Sequence, residues 1–317
     1  MRCLCCNKEM LNPKEYEGSV SWHARCMKRF FGMGTLPEID LSEKALEQLA
    51  NQTVNKGHTV PGVQKKISLG LDKADRAPRL TIVDYPTGYI LKPQSEEYPC
   101  LPEAEFLSMK LAEIAGIQTV PNALLPFRGN YVYVTKRIDR FEDQTYAMED
   151  FCQLSGRLTA DKYRSSYENC GRVIKKYSKN TGLDLTEFYY RLLFCFCTCN
   201  SDMHLKNFSL IEDRPGSRSF SLSAAYDMLP VNIILPKDTE QMALTLNGKK
   251  RNLKRKDFLA LAESLGIPEK VATGLMGRIG EYKGDFLDEI KASYLPEEMK
   301  KKMTSLVLKR MEILGIS

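Results

Sequence analysis

The sequence has no apolar run approaching the roughly 20 residues that a helix needs to cross a bilayer. Its start, Met1-Arg2-Cys3-Leu4-Cys5-Cys6, lacks the apolar core of a signal peptide. Neither membrane insertion nor export is expected, and the cytoplasm is the expected compartment. Charge of one sign is scarce as well: 46 Lys and Arg against 40 Asp and Glu leave a net charge of +6, too mild an excess to require a nucleic-acid partner. Ten cysteines in 317 residues are too few for a disulfide scaffold, so metal binding or burial of reduced thiols has to account for them. Internal repeats and low-complexity tracts are missing, and 43% hydrophobic with 27% charged residues is ordinary globular usage.

What is present divides into parts. Residues 1–35 hold four of the ten cysteines, the single tryptophan Trp22 and one of three histidines. Cys3-x2-Cys6 and His23-x2-Cys26 are ligand pairs at zinc-knuckle spacing. A structural Zn²⁺ on Cys3, Cys6, His23 and Cys26 would staple a segment too small for its own core, with Cys5 as the spare thiol. The alternative is a set of reduced thiols without metal. Leu41–Gln52 carries apolar residues at helical spacing and is expected to be a helix. Short β-rich runs at Lys66–Leu71, Leu80–Asp84 and Tyr89–Lys92, separated by turn chemistry, predict an antiparallel meander. A helix is expected over Pro102–Ala115, stopped by Gly116, with strands at Thr119–Pro126 and Tyr131–Ile138.

Beyond Met148 the periodicity is mainly helical: Asp161–Ser178, Leu185–Asn200, Lys256–Ser264, Pro268–Gly277 and Leu287–Gly315 with a break near Pro296. A β-rich part followed by a helical part is an α+β arrangement. The expected domains are a Cys-rich module at 1–35, a β-rich N-lobe at 36–145 and a helical C-lobe at 146–317. Cys195, Cys197 and Cys199 face different sides of a helix and read as small buried hydrophobes. The basic run Lys249 to Lys256 reads as a solvated face.

The segment richest in chemistry is Asn200-Ser201-Asp202-Met203-His204-Leu205-Lys206-Asn207-Phe208-Ser209-Leu210, directly after an apolar run. Polar groups crowded beside a core are costly to bury unless they are paired or bind something. The spacing Asp202-x4-Asn207 matches a protein-kinase catalytic loop, in which the Asp accepts the substrate hydroxyl's proton and the Asn holds Mg²⁺. Asp227, in Ala224-Ala225-Tyr226-Asp227-Met228-Leu229-Pro230, offers a second carboxylate for the metal. Lys92 ends an apolar strand, and Glu103 and Glu105 open the next helix. In kinases a strand lysine contacts phosphates and is held by a helix glutamate, for which Glu105 is preferred over Glu103. The turn Val60-Pro61-Gly62-Val63-Gln64 can bring backbone amides against phosphate. His204 is placed beside the nucleotide as a loop-bracing side chain rather than a base.

The ordered set TVPGVQKK, YILKP, PEAEF, a hinge-like YVYVTKRIDRF, NSDMHLKNFSL and AAYDMLP resembles the HipA family of bacterial toxin serine/threonine kinases, from about residue 57 onward. The resemblance implies a bilobal, protein-kinase-like fold and an ATP- and Mg²⁺-dependent serine/threonine protein kinase. It implies Asp202 as catalytic base, Asn207 and Asp227 as Mg²⁺ ligands, Lys92 as the ATP-phosphate lysine and Val60 to Gln64 as the phosphate-covering loop. Thr59 stands where the family carries its autophosphorylated serine. Two departures are Cys199, where glycine is usual, and Pro61, where a small residue is common. The chain is more similar to the shorter HipT type, which lacks a further N-terminal subdomain. That similarity implies a toxin–antitoxin system with a separately encoded small HipS-like protein and a DNA-binding HipB-like antitoxin. An aminoacyl-tRNA synthetase is the implied substrate. The alternative reading is a catalytically silent pseudokinase that binds antitoxin partners.

Overall fold

In the computed structural model, residues 1–10, 21–40, 66–72, 79–81, 88–141 and 144–316 are described. The helix expected at Leu41–Gln52, the turn Val60 to Gln64 and Thr59 lie outside the described residues. Two units make up the chain, Met1–Phe106 with Val120–Glu142, and Leu107–Thr119 with Asp143–Ser317.

The first unit is built on a six-stranded sheet of β1 (Glu38–Asp40), β2 (Ile67–Asp72), β3 (Arg79–Thr81), β4 (Tyr89–Lys92), β5 (Asn122–Phe127) and β6 (Asn130–Lys136), in the order β1-β3-β2-β4-β6-β5. Leu69, Leu91, Ala123, Leu124, Val132 and Val134 form its buried apolar set. β4 lies inside the sheet, paired antiparallel with β2 through Ile67↔Leu91 and with β6 through Leu91↔Val134. Strands β2, β3 and β4 pair antiparallel but not as the expected meander, because β3 lies on the outer side of β2. β3 is itself an inner strand, its fully buried Leu80 paired parallel with Ile39 of β1 and antiparallel with Leu71 of β2. The β5–β6 hairpin turns through Arg128 and Gly129, both with positive φ (48° and 81°), as a tight two-residue turn requires.

The Cys-rich start belongs to this unit. Helix α1 (Ala24–Phe31) buries Cys26, Met27, Phe30 and Phe31 along one face and ends at Gly32 with φ 73°. Trp22, Phe30, Phe31 and Tyr89 form a ring cluster with centroids 4.8–6.0 Å apart. Helix α2 (Leu101–Ile114) follows β4 in the chain, with Leu101, Ala104 and Phe106 of its first turns buried.

The second unit holds a three-stranded antiparallel sheet of β7 (Met148–Asp150), β8 (Ser209–Glu212) and β9 (Phe220–Leu222), with β8 in the middle. Its helices are α3 (Phe151–Leu154), α4 (Tyr167–Tyr177), α5 (Thr181–Cys197), α6 (Val231–Ile234), α7 (Arg255–Leu265), α8 (Glu269–Glu281), α9 (Lys283–Ala292) and α10 (Glu297–Ile313). From Phe188 to Cys197 every residue of α5 is buried, as a helix apolar all round must be, and α4, α7, α8 and α10 pack against it. A Cβ on Gly171 of α4 would collide with Leu265 of α7, so that glycine permits the close approach of the two helices. Cys195, Cys197 and Cys199 are fully buried. No helix among the described residues is long and apolar enough to cross a membrane.

Candidate active site

In the second unit the loop leaves α5 at Cys199, whose φ of 63° lies in the left-handed region, and leads to β8. Met203, Leu205 and Phe208 are buried anchors between the polar positions. Successive bonds hold the backbone. Asn200 N–H donates to Cys195 O (2.9 Å), Asp202 N–H to Asn200 Oδ1 (3.1 Å), His204 N–H to Asp202 O (2.8 Å) and Asn207 N–H to His204 O (2.9 Å). The Asn207 Nδ2 donates to Asp202 O at 2.9 Å, tying the first and last residues of the D-x4-N stretch together. That bond leaves the Asn207 side-chain oxygen as its acceptor end, the atom a hard cation takes.

Neighbouring elements brace the loop. Lys206 Nζ pairs with Asp150 Oδ2 at 2.6 Å, Ser201 Oγ donates to Asp238 Oδ2 at 2.7 Å, and Tyr167 OH donates to Met203 O at 3.0 Å. Arg310 of α10 lies buried over the Phe196 ring (4.7 Å) and donates to Asn232 Oδ1 (3.2 Å), while Asn232 Nδ2 reaches Ser201 Oγ (3.4 Å). Tyr163 OH donates to Asp202 Oδ1 at 2.6 Å, and its ring meets His204 edge-on at 4.9 Å.

Asp227 follows Ala225, whose N–H donates to Gln118 O (2.7 Å), and Tyr226, whose OH donates to Lys206 O (3.1 Å). Its φ is 59°, so Cys199 and Asp227 are both non-glycine residues in the left-handed region, each costing about 1–2 kcal/mol. Such strain concentrates at functional sites. Burial pushes the Tyr163 phenol far above its ordinary range, and the carboxylates of Asp202, Asp227 and Asp238 push it further. The same phenol therefore feels all three acids. Their carboxylates and the Asn207 amide oxygen are donor types that a hard divalent cation takes. None of Tyr163, Asp238, Asp150 and Arg310 was singled out from the sequence. Tyr163 stands 39 positions before Asp202 and carries no local signal of that contact.

In the first unit, Lys92 Nζ lies 2.5 Å from Glu105 Oε1, with both side chains buried and the ammonium 5.4 Å from the Tyr133 ring centroid. Of the two glutamates opening α2, Glu105 is the one that meets Lys92. Glu103 is half-buried, and its carboxyl is raised by desolvation. Burying an ion pair is expensive unless the geometry serves something else.

The same unit gathers Cys3, Cys6, His23 and Cys26, whose ligand atoms all lie within 4.8 Å of one another. Cys6 Sγ is 3.4 Å and Cys26 Sγ 3.9 Å from His23 Nδ1, and the His23 N–H donates to Cys3 Sγ at 3.4 Å. Hydrogen bonding with the Cys26 thiol, with burial, raises the Cys3 thiol above its ordinary range.

Comparison with known proteins connects these features. The HipA-like C-terminal domain model matches residues 58–284. A relative from Sinorhizobium fredii, named "Putative kinase Y4dM", is 31% identical over 230 residues, 67% of this chain and 55% of its own. The chain spans 55–59% of the length of the curated relatives it matches. Among solved structures, the toxin–antitoxin protein HipA of Shewanella oneidensis, solved with HipB and operator DNA, superposes with a TM-score of 0.69 at 19% identity, covering 82% of this chain and 66% of that one. The Helicobacter pylori proinflammatory kinase CtkA gives 0.55 at 15% identity, covering 75% of this chain and 91% of its own. The likeness to these two structures is one of fold, a mixed α+β architecture shared with HipA and a kinase. With most of its length matched by the family model, the chain belongs to the HipA-like C-terminal domain family.

Proposed function

We propose that the protein is an ATP- and Mg²⁺-dependent serine/threonine protein kinase of the HipA/HipT type, acting as the toxin of a toxin–antitoxin system. The observation that carries this reading is the bond from Asn207 Nδ2 to Asp202 O, which holds a proton acceptor and a neutral oxygen donor on one rigid turn. Bound Mg-ATP supplies the transferable phosphoryl group and neutralises its charge. Asp202 accepts the proton of the substrate hydroxyl, oriented by Tyr163. Asn207 and Asp227 hold the divalent ion, and His204 braces the loop beside the nucleotide. Lys92, kept in place by Glu105, steadies the phosphates. Val60, Pro61, Gly62, Val63 and Gln64 cover them, and Thr59 beside that turn is the autophosphorylation site. A structural zinc on Cys3, Cys6, His23 and Cys26 is the remaining cofactor, and it takes no part in phosphoryl transfer.

The test is radiolabel transfer from ATP to the chain itself and to a cell lysate. Asp202→Asn and Asp227→Asn should lower transfer by about 10²-fold or more while the melting curve stays put. Mass spectrometry of the labelled chain should find phosphate on Thr59, and the labelled lysate band should be an aminoacyl-tRNA synthetase. Undiminished transfer by Asp202→Asn rejects the kinase assignment, and silence of the wild type favours a pseudokinase.

The solved HipA neighbour was captured with HipB and operator DNA, which supports a HipB-like DNA-binding antitoxin and a small HipS-like protein as partners here. Co-expression with the neighbouring genes followed by size exclusion should give a joint peak. Persistent separate elution counts against the partnership.

A further inference from the structure

The six-stranded sheet ends on β5, and an exposed strand edge leaves backbone donors and acceptors without partners. At Leu124 both are taken by the N-terminal segment. The Leu124 N–H donates to Leu4 O at 2.8 Å, and Leu124 O accepts from Trp22 Nε1 at 3.1 Å. The segment also reaches β4, the strand that carries Lys92. Tyr89 OH donates to Phe30 O at 3.2 Å, and the Tyr89 ring lies 6.0 Å from Phe30 and 5.5 Å from Phe31.

These contacts stand next to the clustered Cys and His ligands in sequence. Leu4 follows Cys3, Trp22 precedes His23, and Phe30 lies one helical turn after Cys26. Among the described residues of the peptide that presents them, regular structure is limited to the 8-residue α1 and an isolated bridge between Arg2 and Glu9. Helices that short do not hold their shape unaided, so something else must fix the spacing of Leu4, Trp22 and Phe30.

The four ligand groups fit one metal in particular. Zn–S and Zn–N bonds of about 2.3 and 2.0 Å in a tetrahedron put sulfur and nitrogen about 3.5 Å apart. The sulfur-to-nitrogen distances of 3.4 and 3.9 Å at His23 Nδ1 bracket that value. Three thiolates and an imidazole select Zn²⁺ over Mg²⁺ or Ca²⁺, and the backbone donor on Cys3 Sγ is the kind of outer bond that orients a metal thiolate.

We propose that Zn²⁺ held by Cys3, Cys6, His23 and Cys26 clamps the N-terminal module onto the β5 edge and onto β4, so that the metal is a structural part of the Lys92–Glu105 site. The edge clamp stands on its own contacts, whereas its effect on nucleotide binding rests on the kinase reading.

The experiment uses the full chain. Elemental analysis of the purified protein should find one Zn²⁺ per chain, retained in Cys5→Ser and lost in Cys6→Ser. Co²⁺ replacing the zinc should show the intense d–d bands of a tetrahedral sulfur-rich site. Stripping the wild type with a chelator should raise hydrogen exchange over 122–127 and 89–92 by about tenfold or more, with α5 unchanged. Added Zn²⁺ should restore protection and added Mg²⁺ should not. Nucleotide affinity should fall severalfold in the stripped chain and recover with zinc. A chain that holds no zinc, or zinc equally dependent on Cys5, overturns the ligand set. Exchange at 122–127 indifferent to the metal overturns the clamp. If the zinc-loaded chain binds no nucleotide, the kinase reading fails while the exchange data still judge the clamp.

Discussion

Tyr163 makes the most specific single contact to the loop. Its hydroxyl donates to Asp202 Oδ1 at 2.6 Å, while its edge against His204 keeps the ring from turning away. A hydrogen bond to a charged group is worth about 1.5–3 kcal/mol. Tyr163→Phe keeps the ring and deletes the bond, so transfer should slow by about tenfold while the unfolding free energy falls by no more than about 3 kcal/mol. Burial and the nearby carboxylates hold the phenol above its ordinary value of 10.0. It therefore stays protonated and able to donate at every pH below that value, and the pH profile of kcat should show no alkaline limb from Tyr163 there. An alkaline limb below pH 10 that disappears in Tyr163→Phe refutes this. Cys199 teaches a related lesson. Its φ of 63° is one that glycine adopts without steric penalty and a thiol-bearing residue does not.

Among the elements, α7 shows how the basic run of residues 249–256 is used. Asp257 in its first turn is fully buried. It accepts from Lys254 N–H (2.9 Å), Asn247 Nδ2 (2.9 Å) and Lys249 Nζ (2.7 Å). Lys250 pairs with Glu240, and Arg255 donates to Leu314 O. Lys249, Lys250 and Arg255 are thus tied into the unit, while Arg251, Lys254 and Lys256 lie exposed as a solvated face expects. Burial pushes the Asp257 carboxyl up, but the bonds from Lys249, Lys254 and Asn247 outweigh it and the net shift is downward. A lowered folded value means that the contribution is complete above the ordinary value of 3.8 and fades as pH falls through the lower folded one. Asp257→Ala should lower the unfolding free energy by about 3 kcal/mol at neutral pH. The gap should narrow below pH 3.8. Urea titrations across a pH series check both, and a gap that widens on acidification rejects the assignment.

Helix ends were readable where glycine or proline marks them. The helix expected at 102–115 runs over Leu101–Ile114 before Gly116, and the break near Pro296 separates α9 from α10. The helix expected from Asp161 starts only at Tyr167, because Ser166 Oγ caps it by accepting from Asn169 N–H (3.2 Å).

Across the whole molecule, the limit of the sequence follows from the range of the forces. Periodicity, caps and turn residues act over a few positions, and they were enough to determine an α+β chain with a β-rich half followed by a helical half. Close spacing was enough to single out the Asp202-to-Asn207 stretch and the two Cys/His pairs, whose ligand atoms lie within 4.8 Å of one another. Other features are properties of residues far apart in the chain that meet only once the core has closed. Tertiary structure alone put β3 outside β2, brought Tyr163 and Asp238 to the loop and chose Glu105 over Glu103 for Lys92. It also spread Leu4 and Trp22 over the edge of β5. Those choices come from burial and from the need to pair every buried polar group, which no local pattern encodes.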